Sequence, residues 1–185
     1  MIETAQALAL AKGKRAIGID GLPVSGKSTL AEHLQAELGA VCLYLDDFVI
    51  PEDLWPWPHR PAYPFPYMRY AEFLEAAAAL TTDQTCTYQP YDWATGQLAG
   101  PRTLHAGAGP VVIEGVSALC ETLSPFYDLR IWVQSDAATT LAAAYDRDGR
   151  SWHRQWRDYF LPSVELYMAT HPRDRADVVV RGRGA

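Results

Sequence analysis

The stretch "GIDGLPVSGKST", residues 18–29, restricts what this chain can fold into more than any other. Gly21, Gly26, Lys27 and Ser28 satisfy G-x-x-x-x-G-K-[ST], the pattern of a loop whose backbone N–H groups cradle phosphates. Such a loop has to turn without side-chain obstruction and open directly into a helix, whose positive end then faces the anion. The flanks meet that demand. "RAIGID" (15–20) is a compact apolar run suited to a buried strand, and Leu30, Leu34 and Leu38 then recur at helical spacing before Gly39 stops the helix. Lys27, one of only three lysines in the chain, supplies a mobile charge for β- and γ-phosphates, and Ser28 a hydroxyl for Mg²⁺. Gly21, Ser25, Gly26, Lys27, Ser28 and the adjoining Thr29 are therefore the expected nucleotide-binding residues.

The same alternation of strand and helix continues along the chain. A short helix is expected over 3–11, a strand over 40–48, a helix over 68–80 and a turn-rich hairpin over 85–109. The run 110–119 reads as a strand running into a loop or helix start and 128–134 as a strand, followed by a helix over 135–148 capped by Ser135 or Asp136, a longer helix over 152–169 and a closing strand over 176–182. This order predicts an α/β fold, a three-layer doubly wound parallel sheet formed by one domain spanning 1–185. With 49% hydrophobic and 21% charged residues the composition is that of a globular chain, and a net charge of -6 argues against a general nucleic-acid binder. Cys42, Cys86 and Cys120 are too far apart for a zinc pair and read as reduced thiols, and the five histidines show no metal spacing. "MIETAQALALAKGKR" has its acid early and its bases late, the wrong order for a secretory leader, and no run is apolar enough to span a bilayer. The expected compartment is cytoplasmic, with no membrane or nucleic-acid partner; a homodimer is allowed for.

A phosphate loop alone does not separate a kinase from a hydrolytic switch or motor, so acceptor-side residues must decide. Asp46 and Asp47 fall where the second strand emerges, the edge at which open α/β sheets bind ligands. A carboxylate there can take the proton of an attacking hydroxyl or hold Mg²⁺ through water, or merely cap the strand end. Glu114, ending "VVIEG", is a second edge acid, either a Mg²⁺ holder or a buried partner for a base. Arg147, Arg150, Arg154 and Arg157 cluster around Gly149 in a prospective lid over 147–157, and arginine's planar fork suits phosphate. Arg147 and Arg150 are the functional candidates; Arg154 and Arg157 read as surface. A proline-rich loop over 50–67 carries Trp55, Trp57, Tyr63, Phe65 and Tyr67, with His59 placed to touch substrate; it is either a lid or a core patch.

Taken in order, "GIDGLPVSGKST", "YLDDF", "PYDW", "VVIEGVSAL", "YDLRIWV", "DRD" and "ADVVVRG" resemble the uridine kinase family over nearly the whole chain. That family belongs to a group with phosphoribulokinase and bacterial pantothenate kinase. The resemblance implies a P-loop kinase (NMP-kinase-like) architecture with a short lid, using ATP and Mg²⁺. It implies Asp46 of Asp-x-Phe (with Phe48) as base on the acceptor hydroxyl, and Asp47 as the lesser candidate. Tyr91, followed by Asp92, would line a nucleobase pocket, and Arg147 with Asp148 would sit near the transferred phosphate. The chain departs from the family where Gly96 stands in place of a base-contacting histidine. It departs again where "HRPAYPFPY" replaces the ribose-holding aspartate-histidine-proline segment.

The expected activity is in-line transfer of the γ-phosphoryl of Mg-ATP to a small-molecule hydroxyl, with a nucleoside as the implied acceptor. The alternatives are a non-nucleoside alcohol of the pantothenate or sugar kind, and a nucleotide-binding protein with little catalysis. A guanine-reading Asn-Lys-x-Asp, which a GTPase switch would need, is absent.

Overall fold

The computed structural model describes residues 1–136, 138–140, 143 and 152–185. Five strands form one parallel sheet: β1 (Ala16–Gly21), β2 (Val41–Tyr44), β7 (Val111–Glu114), β8 (Leu129–Gln134) and β9 (Val178–Arg181), in the order β2-β7-β1-β8-β9. The chain therefore builds to one side of β1 and then to the other. This reversal leaves a crevice at the carboxyl edge, beside β1.

Both faces of the sheet are covered, which is why its strands read as continuous apolar runs. Side chains alternate across the pleat. Ile17, Ile19, Val112, Ile131 and Val133 pack under α1 (Thr4–Ala11) and α2 (Lys27–Leu38), together with Leu30 and Leu34. Ala16, Val111 and Ile113 face the opposite core, formed with Phe73, Ala77 and Leu80 of α3 (Tyr70–Thr82) and Val164 and Tyr167 of α4 (Leu161–Met168).

The expected hairpin over 85–109 is two nested antiparallel pairs. β3 (Thr85–Tyr88) pairs with β6 (Arg102–His105), and within them β4 (Tyr91–Asp92) pairs with β5 (Gln97–Leu98). One expected strand ends early: the run 40–48 is strand only over Val41–Tyr44 and then tightens into a 3₁₀ turn, Leu45–Phe48. The run 110–119 is strand over Val111–Glu114 and then leaves the sheet in turns, as expected. The helix expected over 152–169 is not uniform: a short helical turn His153–Gln155 leads into a π turn, Trp156–Phe160, before α4 begins. Pro162 accounts for the widening, because it has no N–H to give the carbonyl four residues back and its ring crowds that carbonyl. Of the predicted capped helix, Asp136 does act as the cap, its carboxylate accepting the Thr139 backbone N–H at 2.7 Å. Among the described residues no helix is long and apolar enough to cross a membrane.

Candidate active site

The phosphate loop joins β1 to α2 at the carboxyl edge. A Cβ on Gly21 would stand 2.5 Å from the Val133 carbonyl oxygen and 2.9 Å from Ser25 Oγ, so only glycine passes between the loop and β8. Gly26 caps α2 at φ 106°, and its Cα hydrogen faces open space. No side chain caps the helix, so the first N–H groups of its twelve residues remain available to a ligand. Ser25 Oγ is buried with no hydrogen-bond partner. Lys27 arches back, its ammonium donating to Leu22 O at 2.9 Å and standing 3.9 Å from Glu114 Oε1, with both side chains almost wholly buried. Glycine space, open N–H groups, an orphan hydroxyl and a buried cation together fit a phosphate chain.

Glu114 reaches this loop by strand alternation: on β7 it shares the face of Val112, toward α2. Ser28 Oγ donates to its Oε2 at 3.1 Å. Burial raises its carboxyl to about 7, reinforced by the nearby charge of Asp46 and opposed by Lys27 and the Ser28 bond. Ser28 and Glu114 offer the hard oxygen donors that Mg²⁺ takes. Asp20, the residue before Gly21, is wholly buried and was not singled out from the sequence. Its carboxylate accepts the N–H groups of Gly21 (2.6 Å), Ser117 (3.2 Å) and Leu119 (2.8 Å), and the Tyr167 hydroxyl (2.5 Å). It ties the root of the phosphate loop to the β7 exit and to α4. Burial raises its pKa, against the pull of those same bonds. A lone acid inside an apolar strand run was the signal for it.

The 3₁₀ turn separates the two adjacent aspartates. Side chains three apart eclipse in such a turn, so Leu45 and Phe48 both enter the core while Asp46 and Asp47 leave in different directions. Asp46 is exposed and lines the cavity beside Lys27, Ser28 and Glu114, accepting no hydrogen bond from a described residue. Asp47 is tied away from that cavity: the Tyr88 hydroxyl donates to it at 2.7 Å and Arg102 pairs with it at 3.0 Å.

The cavity measures about 880 Å³, counting its open mouth. Its far wall comes from the proline-rich loop (Trp55, Phe65, Tyr67) and from Trp152, Trp156, Phe160 and Val164, which recur every four residues; Trp93 closes one side. That four-residue stripe of aromatics is the signal by which the wall could have been read. The loop is packed in place rather than free. Trp55 and Phe65 are buried, Trp55 lies edge-on to Phe160 at 5.4 Å, and of the loop's tryptophans, tyrosines and phenylalanine only Trp57 is exposed.

Several expected site residues lie elsewhere. Phe48 is completely buried, stacked on Tyr88 at 4.9 Å, and so belongs to the core and not to a substrate surface. Tyr91 is buried against Trp93 and faces a separate recess with Glu52 and Gly96. Asp92 closes the β4–β5 turn, accepting the Ala94 N–H and the Thr95 hydroxyl, each at 2.9 Å, which lowers its pKa. His59 stacks on Tyr159 at 5.0 Å, outside the cavity lining. Thr29 is exposed on α2 and is not among the residues that line the cavity. Arg154 and Arg157 are exposed and pair with Asp158. Arg147, Asp148 and Arg150, and with them the centre of the expected lid, lie outside the described residues.

Solved structures with the same architecture settle the fold. A possible uridine kinase from Bacillus stearothermophilus superposes with a TM-score of 0.71 at 22% identity, covering 96% of this chain and 94% of that one. A proposed fructose transport system kinase from a Silicibacter species gives 0.67 at 19% identity, over 97% and 98%. The fold is that of a P-loop kinase. D-glycerate 3-kinase from Cryptococcus neoformans var. grubii is more distant, at 0.55 and 14% identity over 96% and 92%. No protein-family model matches the chain. Within this P-loop kinase fold, the phosphate loop, Glu114 and Asp46 converge on one cavity at the carboxyl edge of the sheet.

Proposed function

We propose that this protein transfers the γ-phosphoryl group of Mg-ATP to the hydroxyl of a small-molecule alcohol. The observation that carries the reading is Asp46: an exposed carboxylate without a hydrogen-bond partner among the described residues, sharing a cavity with Lys27 and the Ser28–Glu114 pair. The phosphate loop's N–H groups and Lys27 would hold the triphosphate. Ser28 and Glu114 would hold Mg²⁺, which would neutralise charge on the phosphate oxygens. Asp46 would accept the proton of the attacking hydroxyl and orient its oxygen in line with the phosphoryl group. The solved structures above carry the names of three different kinases, a uridine kinase, a fructose transport system kinase and a D-glycerate 3-kinase, so they support phosphotransfer without choosing the acceptor. A nucleoside is the acceptor implied by the motif resemblance.

The test is acceptor-dependent ADP release with Mg-ATP, in wild type, Asp46→Asn and Asp47→Asn. Asp46→Asn is expected to lower kcat about 10²–10⁴-fold with folding intact. Asp47→Asn should keep kcat within about tenfold while losing about 1 kcal/mol of stability with its charge-assisted bonds. ATP turnover indifferent to every acceptor, or an Asp46→Asn enzyme as fast as wild type, would overturn the reading.

A further inference from the structure

We propose that the acceptor carries an apolar body, an aryl or alkyl alcohol, held in the aromatic end of the cavity; this rests on the phosphotransferase reading above. The cavity has two chemically distinct ends. Its charged and hydroxyl-bearing lining, Ser25, Lys27, Ser28, Asp46 and Glu114, gathers at the phosphate loop, apart from the Tyr67 hydroxyl that borders Asp46. Beyond Asp46 the wall is built of rings and aliphatic side chains.

The polar edges of two of those rings are turned elsewhere. Trp55 Nε1 donates to Ile50 O at 2.7 Å, and Trp152 Nε1 to Glu52 Oε2 at 3.3 Å, so both indoles offer carbon to the cavity. The rings also hold one another: Trp55 meets Trp152 at 5.5 Å, and Phe160 meets Trp152 at 5.8 Å and Trp156 at 5.4 Å. The pocket is thus formed in advance, which lowers the ordering cost of binding.

Two other acceptor chemistries fit this wall less well. A nucleobase needs hydrogen-bond partners along its edge, and Tyr91, the residue expected to line that pocket, faces the separate recess instead. A phosphorylated or carboxylated acceptor needs a cation. Among the described lining residues Lys27 is the one cation, already set between Leu22 O and Glu114, with Asp46 adding negative charge. The nearby Arg69 and Arg102 are directed to the Asp47 carbonyl and carboxylate, away from the cavity.

The experiment uses the full chain with Mg-ATP and a graded series: benzyl alcohol, phenylethanol, phenylpropanol and phenylbutanol, beside uridine, cytidine and a sugar phosphate. ADP release gives KM and kcat, and tryptophan fluorescence gives binding without turnover. Each added methylene is expected to tighten binding and lower KM about fourfold until the cavity is full. Trp93→Ala, at a half-exposed position, should raise KM for the aryl alcohols about tenfold and leave kcat within about threefold, the pattern of lost stacking. A flat series, or uridine or the sugar phosphate turning over at lower KM than every aryl alcohol, would overturn the proposal while leaving phosphotransfer standing. No ADP from any acceptor, with graded fluorescence binding retained, would overturn phosphotransfer and keep the apolar pocket. Loss of both signals would end both.

Discussion

Replacing Glu114 by glutamine should make the protein's stability less dependent on pH, by an amount the site itself sets. Glu114 is 5% exposed, and burial raises its carboxyl from the ordinary 4.5 to about 7, more than Lys27 and Ser28 together restore. A folded-state pKa above the unfolded one means a contribution fully present below about pH 4.5 and lost as pH rises through about 7. At about 1.4 kcal/mol per pH unit the whole loss is roughly 3.5 kcal/mol, of which about 2.5 falls between pH 5 and pH 8. Glutamine keeps the shape and a Ser28 partner but cannot ionise. The assay is urea unfolding of both proteins, followed by tryptophan fluorescence in a chelator, at pH 5, 6, 7 and 8. The stability of Glu114→Gln minus that of wild type should climb by about 2.5 kcal/mol across this range, since every other titrating group is common to both. A difference that stays within about 0.5 kcal/mol from pH 5 to pH 8 would refute the argument. It would mean that the carboxyl is hydrated or fully compensated by Lys27, and that the loop does not hold the desolvated pair described here.

Three further substitutions test the loop's foundations. Gly21→Ala would drive a methyl against the Val133 carbonyl, backbone that cannot swing aside, and should cost about 1–3 kcal/mol and weaken ADP binding at least tenfold, read by denaturant melts and nucleotide titration. Asp20→Asn would turn an amide donor toward two of the four donors and should cost about 3 kcal/mol, whereas Tyr167→Phe removes only one of the four and should cost about 1. Equal melts for Asp20→Asn and wild type would show that the carboxylate is not the joint between loop and α4.

The sheet and the phosphate loop were legible because their signals are local. An apolar run, a glycine-rich turn and leucines four apart lie within 24 residues of one another, 15–38, and β1, the loop and α2 form there. Glu114 was legible for a related reason, since a strand-ending acid in a parallel sheet must emerge at the carboxyl edge, where the register pairs it with Ile19 and Tyr44. Phe48 and Asp92 were misplaced because their competing partners are not local, or not visible in a motif. Phe48 is taken by Tyr88, forty residues on, and Asp92 by the turn that β4 and β5 form only when paired.

The acceptor side was the least legible part, and the reason lies in how its wall is made. The loop over 50–67 has no period to read, because its prolines remove backbone donors and hold the chain out of helix and sheet. Its conformation is set by what it lands on, the turns around Trp156–Phe160, about a hundred residues later. Those turns owe their width to Pro162. Trp55, Trp152 and Phe160 therefore become one wall only after both segments have folded, and neither segment's sequence names the other. The same dependence separates the two ends of the cavity in kind. The phosphate end is backbone geometry, dictated by glycines, and it tolerates almost no substitution. The end proposed for the acceptor is side-chain packing between two irregular segments, so changes in ring size there would alter the shape of the cavity while leaving the phosphate loop, Glu114 and Asp46 where they are.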